Sequence, residues 1–113
     1  MPDPPSARRL LRLPVATVLG HEVRVAQGRR ARLLGLAHLD RREAGAGLLI
    51  PRCSSVHTFG MRFALDLYFL GEHGEVVAVR RAVPPRRLAF CRRASAVLEL
   101  PAREGEEIPA ARS

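Results

Sequence analysis

The side chains best equipped for chemistry cluster in the middle of the chain. Cys53, His57, Met61 and Asp66 lie within fourteen residues of sequence. Cysteine thiolate, imidazole and carboxylate are the usual donors to zinc, so a metal site is the first chemistry to weigh. Spacing argues against it. On an extended strand Cys53 and His57 share a face but stand about 13 Å apart, at roughly 3.3 Å per residue. A single ion with bonds of roughly 2 Å does not bridge that gap. The pair converges only if the segment turns, or if another strand brings in Cys91 or Asp66. No metal and no other cofactor is therefore expected, and a buried thiol beside a hydrogen-bonded histidine accounts for the two residues.

A thiol nucleophile is the second chemistry. It needs imidazole within hydrogen-bond reach of sulfur and a third group to orient the ring. Arg52 precedes Cys53, and a nearby cation favours the thiolate. Arginine is so frequent here that this neighbour says little. Cys91, next to Phe90, reads as core. A metal- or thiol-dependent enzyme using Cys53, His57 and Asp66 is thus the alternative reading, and the expectation leans away from an enzyme.

Asp66 stands between Leu65 and Leu67, and Glu99 between Leu98 and Leu100. A bare carboxylate buried on such a strand is costly. Either each acid faces solvent by alternation or it receives specific donors. The expectation is a structural carboxylate in both cases, held by backbone N–H groups or by an arginine such as Arg62. The stretch Pro84 to Arg93 carries Arg86, Arg87, Arg92 and Arg93 with no acid among them. Those four are the candidates for nucleic acid, but single-strand binders interleave several aromatic rings with the charges. Here Phe90 is alone, and a charged strand edge is the plainer explanation. Phosphate-binding glycine loops and the Gly-x-Ser-x-Gly elbow are not found.

The elements that must position these residues are mostly strands. Leu10 to Val25 reads as two short strands around Gly20-His21, with Val23 and Val25 alternating against Glu22 and Arg24. Gly28 to Leu36 sets leucines among arginines with no β-branched residue, which suits one short helix. Asp40 to Gly47 reads as loop. Leu48 to Ile50 is a brief buried strand stopped by Pro51, and Ser55 to Phe59 another, with a bend or bulge at Gly60. Leu65 to Leu70, a turn over Gly71 to Gly74 and a return from Glu75 to Arg81 form the clearest hairpin. Pro84-Pro85 forces an extended link. Leu88 to Phe90 and Ser95 to Leu100 complete seven or eight strands. Strands at this spacing predict a mainly β fold, a β-sandwich or jelly-roll-like small barrel.

The whole chain has 113 residues and a hydrophobic fraction of 47%, which suits a single β-rich domain over residues 9–108. Residues 1–8, rich in proline at their start, and 109–113 read as disordered tails. No apolar run approaches a bilayer span. Arg12 and Pro14 interrupt the N-terminal apolar residues, so no secretory signal is expected. Two cysteines are too few for a disulfide framework, and a reduced, cytoplasmic protein follows. The net charge is +8, carried by 19 basic residues, every one of them arginine. Such a charge suggests a polyanion partner. The same bias, with abundant Ala, Gly and Pro, is explained by genome composition, so the charge predicts only salt-sensitive, non-specific adhesion to nucleic acid.

The order of these features resembles the bacterial and archaeal domain of unknown function family 192. The residues that carry the likeness are Glu22 to Ala26, Arg32-x-x-Gly35-Leu36, Gly47-Leu48-Leu49-Ile50 and Leu65-Asp66-x-x-Phe69-Leu70. They continue through Gly74, Val76-Val77, Pro84 and Val97-Leu98-Glu99-Leu100-Pro101-Ala102. The likeness runs over about residues 22 to 108. It implies a compact, mainly β fold of jelly-roll type with a short helix, and it implies no reaction. Many members carry Phe-Trp-Met-Lys ahead of Pro-Leu-Asp. Here Val56-His57-Thr58-Phe59 stand in that place and Ala64 replaces the proline, so His57 takes over whatever contact a tryptophan makes there.

The leading expectation is a non-enzymatic module, monomeric and without a membrane partner, that binds a small molecule or a protein. Its surface is placed on Arg52, Ser55, His57, Met61 and Arg62, with Asp66 as anchor.

Overall fold

The computed structural model describes residues 9–103. The two tails expected at 1–8 and 109–113, and the end of the expected domain, lie outside the described residues. Residues 9–11 are helical. Strands β1 (Val15–Val18) and β2 (His21–Val25) form a hairpin. Leu19 and Gly20 between them have φ of 50° and 81°, the left-handed pair that a two-residue type I′ hairpin turn requires. Helix α1 (Gly28–Leu34) follows.

The next segment corrects the loop reading. Arg41–Ala44 is a one-turn helix, α2. The Asp40 side chain accepts the Glu43 backbone N–H, and Glu43 Oε1 accepts the Asp40 N–H at 2.8 Å. This is a capping box, and its Asp-x-x-Glu pattern was present in the sequence. Among the described residues there are therefore three short helical segments where one was expected.

The remaining strands are β3 (Leu48–Pro51), β4 (Ser55–His57), β5 (Leu65–Leu70), β6 (Val76–Val83), β7 (Leu88–Phe90) and β8 (Ala96–Pro101). Six of them form one sheet in the order β1-β2-β3-β8-β5-β6, and β4 and β7 form a separate ribbon. β2 and β3 run parallel, joined through α1 and α2, and the other pairings are antiparallel. A parallel pair needs such a long crossover, which a run of hairpins does not supply. Among the described residues β1 and β6 have no further strand beside them, so the sheet is open and not the small barrel expected. Among the described residues no helix is long and apolar enough to cross a membrane.

The main core lies on one face of the sheet. Leu48, Ile50, Leu65, Leu67, Phe69 and Val97 pack there against Ala31, Leu36, Leu39, Val56, Met61 and Phe63. Each fully buried leucine in this set stabilises the fold by about 2 kcal/mol. A smaller cluster of Val23, Leu70, Leu98 and Leu100 occupies the other face. The helices and the β4–β7 ribbon thus form a layer over the first face. The gap they leave is where the site develops.

Candidate functional site

Within the ribbon Ser55 pairs with Phe90, Val56 with Ala89 and His57 with Leu88. Alternation turns Val56 and Ala89 toward the core and the other two pairs away from it, where they still border the space beside α1. Phe90 and Leu88 are consequently 66% and 79% exposed, and Leu33 at the end of α1 is 67% exposed. His57 ties the ribbon to that helix. Its Nε2 lies 3.0 Å from Leu33 O, and its Nδ1 accepts the Phe59 N–H at 3.2 Å. Nδ1 as acceptor leaves Nε2 as donor, so the ring sits as the Nε2–H tautomer.

Between ribbon, α1 and sheet lies a cleft of about 490 Å³. Leu33, Ile50, Val56, Ala89 and Phe90 supply its apolar wall, and Glu99 of β8 lies at its floor. Glu99 is 1% exposed. Its cross-strand neighbours are Leu48 and Leu67, so it points into the main core and not outward. Burial pushes its pKa up to about 8, while the Leu36 backbone N–H and the Arg9 guanidinium pull it partly back. At neutral pH the group is therefore mostly an uncharged carboxylic acid. Among the described residues its Oε1 has no hydrogen-bond partner.

The chain after α1 is built around this carboxyl. Gly35 has φ 56° and ψ −129°, a conformation natural only to glycine. A Cβ there would lie 2.7 Å from Glu99 Oε1. The Arg9 guanidinium clamps the same turn, donating to Gly35 O at 2.8 Å and to Ala37 O at 2.7 Å. Burial and, next, the charge of Arg30 lower the Arg9 pKa. At the mouth, Arg32 donates to Pro51 O and, at 2.8 Å, to Arg52 O.

The residues singled out from the sequence disperse. Ser55 and His57 line the cleft. Arg52 contributes its carbonyl to Arg32. Met61 is 6% exposed in the main core. Arg62 forms an exposed 2.9 Å ion pair with Asp40. Cys53 Sγ donates to Ser55 O at 3.0 Å, and Cys91 is a free thiol packed beside the core.

Asp66 faces away from the cleft, because its cross-strand partner is Leu100 of the second cluster. There it serves a bulge. The β5–β6 register shifts between Leu65 and Leu67, placing Arg81 and Ala82 against Asp66. Ala82, with φ 53°, donates its N–H to Asp66 Oδ1 at 2.8 Å, and Arg81 Nε lies 3.3 Å from Oδ2. Cys53, His57 and Asp66 thus hold three separate partners, and among the described residues no three His, Cys, Asp or Glu side chains gather as metal ligands. The arginine pairs Arg86-Arg87 and Arg92-Arg93 are exposed and bracket the two ends of β7.

Sequence reasoning did not find Leu33, Gly35, Ile50, Leu88, Ala89 or Phe90 as site residues, and it treated Glu99 as purely structural. One signal was available. Leu88 and Phe90 alternate with Ala89, a strand whose larger side chains face out. The opposite orientations of Asp66 and Glu99 had no local signal, since both sit between leucines.

The family model DUF192, described as "Uncharacterized ACR", matches residues 14–109. The chain belongs to the DUF192 family. Among solved structures it is similar to a protein of unknown function from Novosphingobium aromaticivorans, at 17% identity and a TM-score of 0.57, over 99% of this chain and 92% of that one. That likeness supports the fold alone. Comparison with curated proteins gives no match. The DUF192 match takes in all the cleft residues named above, from Leu33 to Glu99.

Proposed function

We propose that this DUF192 chain is a non-enzymatic binding module that takes a small, largely apolar ligand in the cleft between α1 and the β4–β7 ribbon. The carrying observation is the cleft, about 490 Å³ in volume, with three large side chains, Leu33, Leu88 and Phe90, left exposed beside it. That volume is in the range of small-molecule sites, which combine apolar walls with few polar groups. Leaving those side chains in water lowers solubility, and a ligand that covers them recovers part of the burial energy.

The surface of the reading therefore shifts. Ser55 and His57 remain in it, while Arg52, Met61, Arg62 and Asp66 support the surrounding fold. His57 acts as a strut: both ring nitrogens are engaged, which leaves neither free to serve as a base.

The test uses the dye 8-anilinonaphthalene-1-sulfonate in high salt, which screens its attraction to the arginine-rich surface. Saturable, blue-shifted fluorescence is expected. Ala89→Trp, which fills the cleft, is expected to abolish it while the far-ultraviolet circular dichroism stays unchanged. Dye binding that ignores this substitution, or never saturates, sinks the reading.

A further inference from the structure

Glu99 Oε1, at the cleft, is a buried polar atom with no partner among the described residues. A buried polar group normally has a partner, and one left without is explained by strain, by an unseen solvent molecule or by a ligand. The geometry here keeps the atom close to the cleft. Gly35 lines it too, and any larger residue there would press on Oε1. The Leu36 N–H is already given to the carboxyl, and because Oε1 is unpartnered that bond goes to the other oxygen. Oε1 then holds the proton of the neutral acid and needs an acceptor.

We infer that the ligand carries an acceptor oxygen, a carbonyl or carboxylate head, which takes a hydrogen bond from Glu99 Oε1 while its apolar body lies against Leu33, Ile50, Val56 and Phe90. This rests on the cleft being the ligand site. The charges around the floor select the same head. Arg9 bears on Glu99 from the N-terminal helical residues, and Arg32 lines the cleft from α1. β4 presents His57, engaged at both nitrogens, and β3 and β5 present Leu48 and Leu67. An ammonium head would meet two guanidinium groups, whereas an oxygen acceptor meets a donor and a positive field. The raised pKa of Glu99 gives the interaction a direction with pH: ionisation removes the donor, so affinity falls as pH rises through about 8.

The experiment compares hexanamide, hexanoate and hexylamine by methyl NMR, following Leu33, Ile50, Val56 and Leu88 near pH 6.5 and near pH 9.5. Hexanamide and hexanoate are expected to bind roughly thirtyfold more tightly at the lower pH, because a group that titrates near 8 is protonated at pH 6.5 and about 3% protonated at pH 9.5. Glu99→Gln keeps a donor at both pH values, so it is expected to bind hexanamide and to lose the pH dependence. Hexylamine binding more tightly than the other two overturns the proposed head group and leaves the cleft as a site. A pH dependence that persists in Glu99→Gln belongs to another group and also overturns it. If none of the three probes moves these methyl signals at either pH, the cleft reading itself fails. Should Glu99→Gln not fold, the ranking of the three probes on the unaltered protein decides the head group.

Discussion

At neutral pH the Glu99 carboxyl keeps its proton because ionising it among Leu48, Leu67 and the cleft wall costs more than Leu36 N–H and Arg9 return. The unfolded chain imposes no such cost, and there the group titrates near 4.5. The folded state therefore binds the extra proton between the two values. Its contribution to stability is fully present below pH 4.5, declines as pH rises and is lost by about pH 8. At 1.36 kcal/mol per pH unit this amounts to about 5 kcal/mol. Glu99→Gln removes the titration. Urea denaturation of both proteins across pH 5 to 8.5 is expected to show the unaltered chain losing stability and the variant holding a flatter profile. Parallel profiles would mean that Glu99 is not buried as a neutral acid.

The β4–β7 ribbon is short, three residues per strand, and two strands alone are marginal in water. Other bonds hold it in place. His57 reaches α1. Thr58, 1% exposed, latches the segment before β7: its Oγ1 donates to Pro84 O at 2.7 Å and accepts the Arg87 N–H at 2.8 Å. Its backbone pairs with Arg87 O and with the Arg86 N–H. Thr58→Val keeps the shape and removes the hydroxyl, leaving two part-buried backbone groups, Pro84 O and Arg87 N–H, short of a partner. A loss of about 2 kcal/mol is expected, with faster amide exchange at Leu88 to Phe90 than in β5. If exchange in the ribbon stays as slow as before, Thr58 does not hold it. Asp66 works in the same way on the other side of the sheet, where the extra residue on β6 frees the Ala82 N–H that Asp66 accepts.

Over the whole molecule the charge is +8 and every basic side chain is arginine. The exposed arginines are spread over the surface, and the Arg86-Arg87 and Arg92-Arg93 pairs sit at separate ends of β7. Non-specific attraction to nucleic acid follows from the net charge, with log affinity falling linearly against log salt. Replacing the four arginines around β7 by alanine is expected to reduce that slope no more than replacing four exposed arginines elsewhere, such as Arg29, Arg30, Arg42 and Arg103. A selective loss from the β7 set in fluorescence anisotropy with a single-stranded oligonucleotide would instead mark a nucleic-acid surface.

Local pattern was sufficient for most elements. The alternation at Val23 and Val25, the leucines among arginines in α1 and the apolar run Leu65 to Leu70 each named an element type, because burial and backbone preference act within a few residues. Even α2 was written in Asp40 and Glu43. The parallel pairing of β2 with β3 and the open sheet edges were not, since they depend on which distant strands meet. The site lay further still from local signal. Asp66 and Glu99 each stand between two leucines, yet one closes a bulge and the other lies under the cleft. A strand's alternation says that neighbours face opposite sides, but which side becomes the interior is set by where α1 and the β4–β7 ribbon pack. That packing placed Glu99 beneath Gly35 and left Oε1 without a partner.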